Sequence, residues 1–589
     1  MAWGITIGKK PESAKGAVRR ILPYLSAYRP LLALVIALCL VSNIMALFGP
    51  TLAGNAISEA EAGVGKVNFS RIYYYVRLML VFYLGSSLLT ICINVIMVRI
   101  SKNIARRLRQ DVFEKLMRLP VSFFDRTAAG DIISLISYDV DLIGTCLATD
   151  VVQIVTNAVT IVGALLMMLY ISPALSLVVF VTIPLSVGFT VWMRKMTRPR
   201  YAKRSQNYSV MNGFVEEMLS GQKTIQAYAY ADAVQSRFGS VNRAAAEAYY
   251  EADGFGVLLG VTMGFINNLS LALIAMLGAV LYMLGGVNLG QISSFVLYSR
   301  KFTGPINEIA NTVNEIFSAL SAAERVFHLL DETEEPEDSP DALRLEQVRG
   351  HVKLEHVSFG YDPQRLILHD LNLDAPPGRM VAIVGPTGAG KTTIINLLMR
   401  FYDVSGGQIL VDDGPVDGYT RESLRGAYAM VLQDTWLFQG TVFENIAYGR
   451  ENAGMEDVVR VAKAAHIHSF ILRLPQGYDT VIEADGGNIS KGQKQLLTIA
   501  RAMLYDAKML ILDEATSNVD TETERAVQQA MRELMRGKTC FTIAHRLSTI
   551  QSADDILVVD HGDVVEQGTH AELMQKKGFY YRLYDAQFR

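Results

Sequence analysis

The chain has 589 residues, half of them hydrophobic and only 19% charged, with a formal net charge of -3. That length holds two or three domains, and the near-neutral balance gives no case for nucleic acid as a partner. Four cysteines (Cys39, Cys92, Cys146, Cys540) form no CxxC pair and show no disulfide framework, so they read as small apolar fillers.

The basic stretch up to Pro30 reads as a short amphipathic segment at the cytoplasmic surface. The apolar run after it is too long for a signal-peptide core and reads as a retained first transmembrane helix. A hydrocarbon crossing needs about 20 helical residues. Six stretches meet that need: Leu31–Ala56, Ile72–Val98, Cys146–Tyr170, Ala174–Met193, Gly254–Leu284 and Ile292–Val313. The sixth carries Lys301 and Glu308, with Glu315 just beyond, so it either lines an aqueous cavity or is already cytoplasmic in its latter half. Short loops fall outside. The long connections carry Lys102, Arg106, Arg107 and Arg109, then Arg194, Lys195, Arg198 and Arg200, which places both termini inside.

Each long connection reads as helix, break, helix. In the first, the helical pattern from Ser101 to Arg118 runs on to an interruption at Gly130; in the second, Phe214–Asp232 breaks at Gly221. These look like rigid levers, each ending in a short cytoplasmic crosspiece. The acidic stretch Asp331–Ala342, with two prolines, reads as an exposed boundary between a membrane domain (1–330) and a soluble domain (331–589).

The soluble part alternates strand and helix, as an α/β core does. The apolar string Val381–Val384 leads into Gly385–Thr393, which fits G-x-x-x-x-G-K-[ST] with Gly385, Gly390, Lys391 and Thr392 at the fixed places. Glycines, among them Gly388, let backbone amides converge on phosphates, and a helix N-terminus adds a favourable dipole. Lys391 can neutralise the β- and γ-phosphates and Thr392 can hold Mg2+. Further on, the run Lys508–Ser517 reads as a buried strand ending in Asp513 and Glu514. Asp513 suits Mg2+-bound water and Glu514 suits orienting or deprotonating an attacking water. His545 follows another strand and can donate to the γ-phosphate. Gln433 ends the string YAMVLQ as a water or Mg2+ contact, and Tyr361 offers a ring for stacking on adenine.

With these motifs in place, residues 331–589 resemble the nucleotide-binding domain of ABC transporters, and residues 1–330 resemble the membrane domain of an ABC exporter half-transporter. The resemblance implies a membrane all-α six-helix exporter domain plus a cytoplasmic α/β P-loop ATPase domain, multi-pass in a bacterial cytoplasmic (inner) membrane. It implies ATP and Mg2+ as cofactors and ATP-driven, alternating-access export of amphipathic or lipophilic compounds. It makes Tyr361 the adenine-stacking aromatic, Gln433 the Q-loop residue, Asp513 and Glu514 the Walker B pair, His545 the switch histidine and Asp520 the D-loop aspartate. The crosspieces become coupling helices. In this family ATP is sandwiched between one subunit's phosphate loop, here including Thr393, and the other subunit's signature motif.

That signature, LSGGQ in the family, is ISKGQ here: Ser490, Gly492 and Gln493 are retained, but Lys491 replaces a glycine. Just upstream, Glu483 and Ala484 fall on an expected glycine and glutamate. An intact catalytic set (Lys391, Thr392, Gln433, Asp513, Glu514, His545) beside an altered signature resembles one partner of heterodimeric bacterial multidrug exporters. The second half-transporter is therefore expected to be a different subunit rather than a second copy. Asn157, Asn267, Asn268, Asn307 and Asn311 can supply polar contacts in an apolar cavity, or simply bond between helices. A lipid flippase with the same engine and an ATP-gated regulator stand as rival functions.

Overall fold

The computed structural model describes residues 14–61, 63, 66–362, 364–432, 435–450, 452–483, 486–513, 521–544 and 547–588. By contacts the chain divides into Met1–Met117 with Ala128–Glu332, and Arg118–Thr127 with Thr333–Arg589.

The first unit is all helix: α1 (Ala14–Ser26), α2 (Arg29–Ala60) and α3 (Phe69–Arg118), then α5 (Ala129–Ile171), α6 (Pro173–Ser220), α7 (Gln222–Ala227), α8 (Ala231–Met283) and α9 (Leu289–Asp331), with α4 (Val121–Arg126) left to the second unit. The starts follow local chemistry. Pro30 and Pro173 sit in first turns, where no amide partner is lost. Asn288 and Gln291 form a reciprocal capping box at the head of α9. α5 contains two π-type turns, Leu135–Asp139 and Cys146–Asp150.

Among the described residues, α2, α3, α5, α6 and α8 are long and apolar enough to cross a membrane. α9 is the sixth long helix, and its charges at Arg300, Lys301, Glu308 and Glu315 set it apart. The 50 residues of α3 give a rod of about 75 Å, more than twice a hydrocarbon core, so the lever reading holds. The first connection, however, breaks at Leu119–Pro120 and again at Thr127–Ala128 rather than at Gly130, which lies inside the first turn of α5. Ala128 with an extended backbone ends one helix and starts the next without glycine. α1 is short and amphipathic, as expected. It is fixed to protein, with Tyr24 donating to Asp111 at 2.6 Å and Arg20 paired with Asp331 over the Phe327 ring.

α8 packs along α6, and α9 packs against α2 and α5. Leu47, Met168, Leu175, Ile274, Phe295 and Tyr298 form the buried apolar centre. Two of the polar groups inside it are paired, as lipid demands: the Tyr298 hydroxyl meets Thr51 and the Leu47 carbonyl, and Ser294 donates to the Pro50 carbonyl at 2.9 Å. Lower down the levers, Arg325 grips the buried Asp139 through two bonds of 2.8 and 2.5 Å.

The second unit holds two main sheets. β1 (Val352–Phe359), β2 (Leu368–Ala375), β4 (Gly406–Val411) and β5 (Gly414–Pro415) form an antiparallel sheet in the order β2-β1-β4-β5. β3 (Met380–Val384), β6 (Tyr428–Val431), β9 (Met509–Asp513), β10 (Thr539–Ile543), β11 (Asp555–Asp560) and β12 (Asp563–Gly568) form the other, in the order β12-β11-β3-β10-β9-β6. A small pair, β7 (Gly440–Thr441) and β8 (Val481–Ile482), stands apart. The large sheet is parallel except at the β12 edge. Its central strands are buried on both faces, which explains their unbroken apolar runs.

The acidic boundary stretch is mostly exposed, as expected, but several of its acids are fastened: besides Asp331, paired with Arg20, and Glu332, 3.5 Å from His328, two more are held by arginines. Glu335 takes two bonds from Arg425, at 3.0 and 2.5 Å, and Asp338 accepts from the buried Arg421 at 2.9 Å.

Candidate nucleotide site and membrane cavity

β3, β10 and β9 are parallel neighbours, with Ile383 beside Ile543 and Ile543 beside Asp513. Their carboxyl ends therefore bring together the loop from Gly385, the chain leaving Ala544 and the Asp513 carboxylate. This is the edge at which open α/β sheets take ligands. Glu514 follows Asp513 directly and His545 follows Ala544. Both lie outside the described residues, as do Gln433, Asp520 and Ala484.

The loop fits a triphosphate. A Cβ on Gly385 would come within 2.0 Å of the Val559 carbonyl, so only glycine passes there. Gly388 and Gly390 take φ of +84° and +107°, the left-handed region that bends the chain back on itself. The helix that follows, α10 (Lys391–Leu398), has no side-chain cap, which leaves its first amides free for an anion. The Lys391 ammonium donates to the carbonyls of Gly385 at 2.8 Å and Pro386 at 2.9 Å. Burial pushes its pKa below the usual lysine value, and the Asp513 carboxylate opposes that shift. Lys391 thus sits over the loop within electrostatic reach of Asp513. Thr392 is exposed at the same helix start and Thr393 is buried. No group of three His, Cys, Asp or Glu gathers among the described residues. Thr392 and Asp513 can hold Mg2+ together with phosphate and water oxygens, the sparse protein ligation that this ion favours.

Tyr361 is 47% exposed and tied over α10. Its hydroxyl lies 3.4 Å from the Thr393 hydroxyl and accepts from the Asn396 amide at 3.3 Å. Its ring stands edge-on to Phe359 at 5.0 Å and to Tyr402 at 4.9 Å. Tyr402 in turn donates to Asp125 of α4 at 2.5 Å. Sequence reasoning missed this pair. The aromatic run after α10 was a signal, but nothing local links it to Asp125.

Ser490 caps α11 (Lys491–Tyr505): its hydroxyl accepts from the Gln493 amide at 3.3 Å, while the Gln493 side chain accepts from the Ser490 amide at 2.9 Å. Gly492 is buried and Lys491 is exposed at the first helical position. Further along α11, Arg501 donates to Asn445 at 2.8 and 3.1 Å and to the Trp436 carbonyl at 3.3 Å. The signature helix is thereby bound to the loop that follows Gln433.

In the membrane unit, Asn157 is buried and its amide nitrogen has no partner among the described residues. Asn267 and Asn268 line a cavity between α8 and α9. The side chains of Asn307 and Asn311 lie outside the described residues.

Comparison with known proteins agrees with this geometry. The family model for the ABC transporter transmembrane region matches residues 32–306, and that for the ABC transporter matches residues 368–517. The chain is 42% identical over 579 residues to an uncharacterized ABC transporter ATP-binding protein, YfiC, of Bacillus subtilis, covering 98% of this chain and 95% of that one. It is 42% identical over 519 residues to a fatty acid ABC transporter ATP-binding/permease protein of Mycobacterium bovis, covering 88% and 82%. A solved bacterial Atm1-family ABC exporter with ATP bound superimposes with a TM-score of 0.75 at 29% identity, over 96% of this chain and 99% of that one.

Proposed function

The chain belongs to the ABC exporter half-transporters, and from that premise we propose that it acts as the catalytically complete member of an unequal pair. It hydrolyses ATP with Mg2+ to export amphipathic or lipophilic compounds across a bacterial cytoplasmic membrane. In our reading Gly385, Gly388, Gly390, Lys391 and Thr393 cradle the phosphates, and Thr392, Gln433 and Asp513 hold Mg2+. Glu514 orients and deprotonates the attacking water, His545 donates to the γ-phosphate, and Tyr361 stacks on adenine. Ser490, Gly492 and Gln493 close over the nucleotide of the opposing subunit, with Asp520 at the contact between subunits.

Lys491 carries the proposal of an unequal pair. It stands at the first position of the 15-residue α11, at the positive end of the helix dipole, where a cation costs about 0.3–1 kcal/mol. Helix stability therefore does not explain it. A side chain there also adds bulk where glycine would let the backbone approach the opposing phosphate. The chain's own phosphate loop keeps every residue it needs, so the altered half serves the partner's nucleotide. Co-expression of tagged and untagged copies tests this. The tagged chain should recover little untagged copy and should hydrolyse ATP well only with a different half-transporter. A stable, substrate-stimulated ATPase built from this chain alone would overturn the pairing.

Similarity to a fatty acid transporter supports a substrate with an alkyl chain. The flippase form of this reading is separated by lipid-specific ATPase stimulation and head-group translocation in liposomes.

A further inference from the structure

α8 and α9 enclose a cavity of about 320 Å³ lined by Asn267, Asn268, Ser270, Ser299 and Arg300. Its depth follows from helix geometry. Arg300 lies about 16 Å along α9 from its outer end, and Asn267 about 24 Å along α8 from its own, at 1.5 Å per residue. Both depths fall within a hydrocarbon core of about 30 Å. An ionised side chain at that level faces a protein or water-filled cavity and marks a pathway or a partner.

The two adjacent cations of α9 behave differently. Lys301 is satisfied by structure: its ammonium donates to the Ala46 carbonyl at 2.5 Å and lies 5.8 Å from the Tyr83 ring centre. Arg300 has no hydrogen bond or ion pair with any described residue, and it lines the cavity. The next acid along α9, Glu308, is engaged by the Gln153 amide at 3.1 Å. No acidic side chain is among the described residues lining the cavity. The neighbouring groups are amides and hydroxyls: Asn267, Asn268 and Ser270, the last 3.2 Å from the Thr182 hydroxyl.

A mostly apolar cleft of about 250 Å³ adjoins this patch, sharing Asn267, Ser270 and Ser299 and walled by Val179, Ile183, Val187, Met263 and Ile266, with Arg194 as the charged side chain on its lining. We propose that Arg300, with Asn267 and Asn268, forms a head-group site for an amphipathic anion, a carboxylate or phosphate monoester on an alkyl chain, whose tail occupies the adjoining cleft. The guanidinium fork matches two oxygens of either head group, and each asparagine amide adds donors of its own. This rests on the export reading above and specifies which substrates that export favours.

The test uses the full-length assembled transporter in nanodiscs and three fluorescent probes: a lauric acid derivative, its methyl ester and the matching lauryl phosphate. Arg300→Gln should weaken binding of at least one anionic probe by about tenfold, equivalent to about 1.4 kcal/mol, and leave the ester within about twofold. Arg300→Lys should keep most of the anion affinity. A double Asn267→Ala, Asn268→Ala variant, which removes donors without removing charge, should weaken the same anion more than the ester and covers the case in which Arg300→Gln fails to assemble. The anion that responds assigns the head group as carboxylate or phosphate. Equal losses for acid, phosphate and ester, or no loss for either anion, overturn the proposal. Wild-type protein that binds an anionic probe but moves none of the three with ATP would instead sink the export reading for these substrates and leave the site standing.

Discussion

The Tyr402 phenol donates to the Asp125 carboxylate at 2.5 Å, across 277 positions of sequence. Asp125 belongs to α4, the crosspiece that follows the long membrane helix α3, and the Tyr402 ring meets Tyr361 edge-on at 4.9 Å. Two rings and one hydrogen bond therefore connect Tyr361, the aromatic proposed to stack on adenine, with the crosspiece α4. Burial first, and then Asp125, push the Tyr402 phenol above its ordinary value. Because its folded pKa is raised, its contribution is fully present below about pH 10, the unfolded tyrosine value, and is lost only as pH rises through the folded one. The link is intact at every physiological pH.

Tyr402→Phe removes that bond while keeping the ring. Basal ATPase should stay within about twofold, while stimulation by transported substrate falls several-fold, on the scale of one charge-assisted hydrogen bond of about 1.5 kcal/mol. The comparison to make is stimulated against basal turnover in proteoliposomes. Unchanged stimulation would show that the bond carries no signal.

Replacing Tyr361 by Ala should raise the apparent KM for ATP about threefold to tenfold, the range of an aromatic stacking contribution of about 0.5–1.5 kcal/mol. Tyr361→Trp should keep most of the affinity. If Trp behaves like Ala, the ring does not stack on the base.

Glu514→Gln should lower steady-state hydrolysis by at least about a hundredfold, as expected for a residue acting on the attacking water. ATP binding, followed by a fluorescent analogue, should persist. Substantial residual turnover sinks the assigned role. Lys391→Ala should differ by losing nucleotide binding itself.

Asp338→Ala takes from the Arg421 side chain, 8% exposed, its nearest carboxylate at 2.9 Å and leaves it Glu335 at 3.6 Å and Asp403 at 3.8 Å. The expected loss is about 1.5–3 kcal/mol, visible as a drop of several degrees in the melting of the nucleotide unit. No change in melting would mean that the boundary acids are decorative.

Lys491→Gly should raise the turnover of the assembled pair if lysine holds the partner's site in a weakened state. A fall would make Lys491 a working phosphate ligand instead, and no change would mean that its side chain neither weakens nor supports the partner's site.

Much of this architecture was legible in the sequence, because long apolar runs and a phosphate loop between strand and helix each have a single physical reading. Gly385, Lys391 and Asp513 were found by spacing, and parallel pairing of β3, β10 and β9 brings them to one edge. What escaped were features made by distance. Tyr402 carried no local signal, since its partner Asp125 lies 277 positions earlier. Glu335 and Asp338 looked like solvated linker charge, because their arginines come more than eighty positions later. Arg300 was passed over beside Lys301, and only the fold separates the satisfied cation from the one that lines a cavity. The helix break was assigned to Gly130 on propensity, whereas the chain turns at Ala128.

The segment Arg118–Thr127 belongs by contact to the nucleotide unit although it lies more than two hundred residues upstream of the rest. Arg118 accepts from the Glu335 amide at 2.9 Å, and Phe123 is 5% exposed. The crosspiece is therefore held by the nucleotide unit, whose own apolar clusters draw all their described residues from Leu345 onward. A fragment starting at Thr333 would lack the partners of Tyr402 and of the Glu335 backbone.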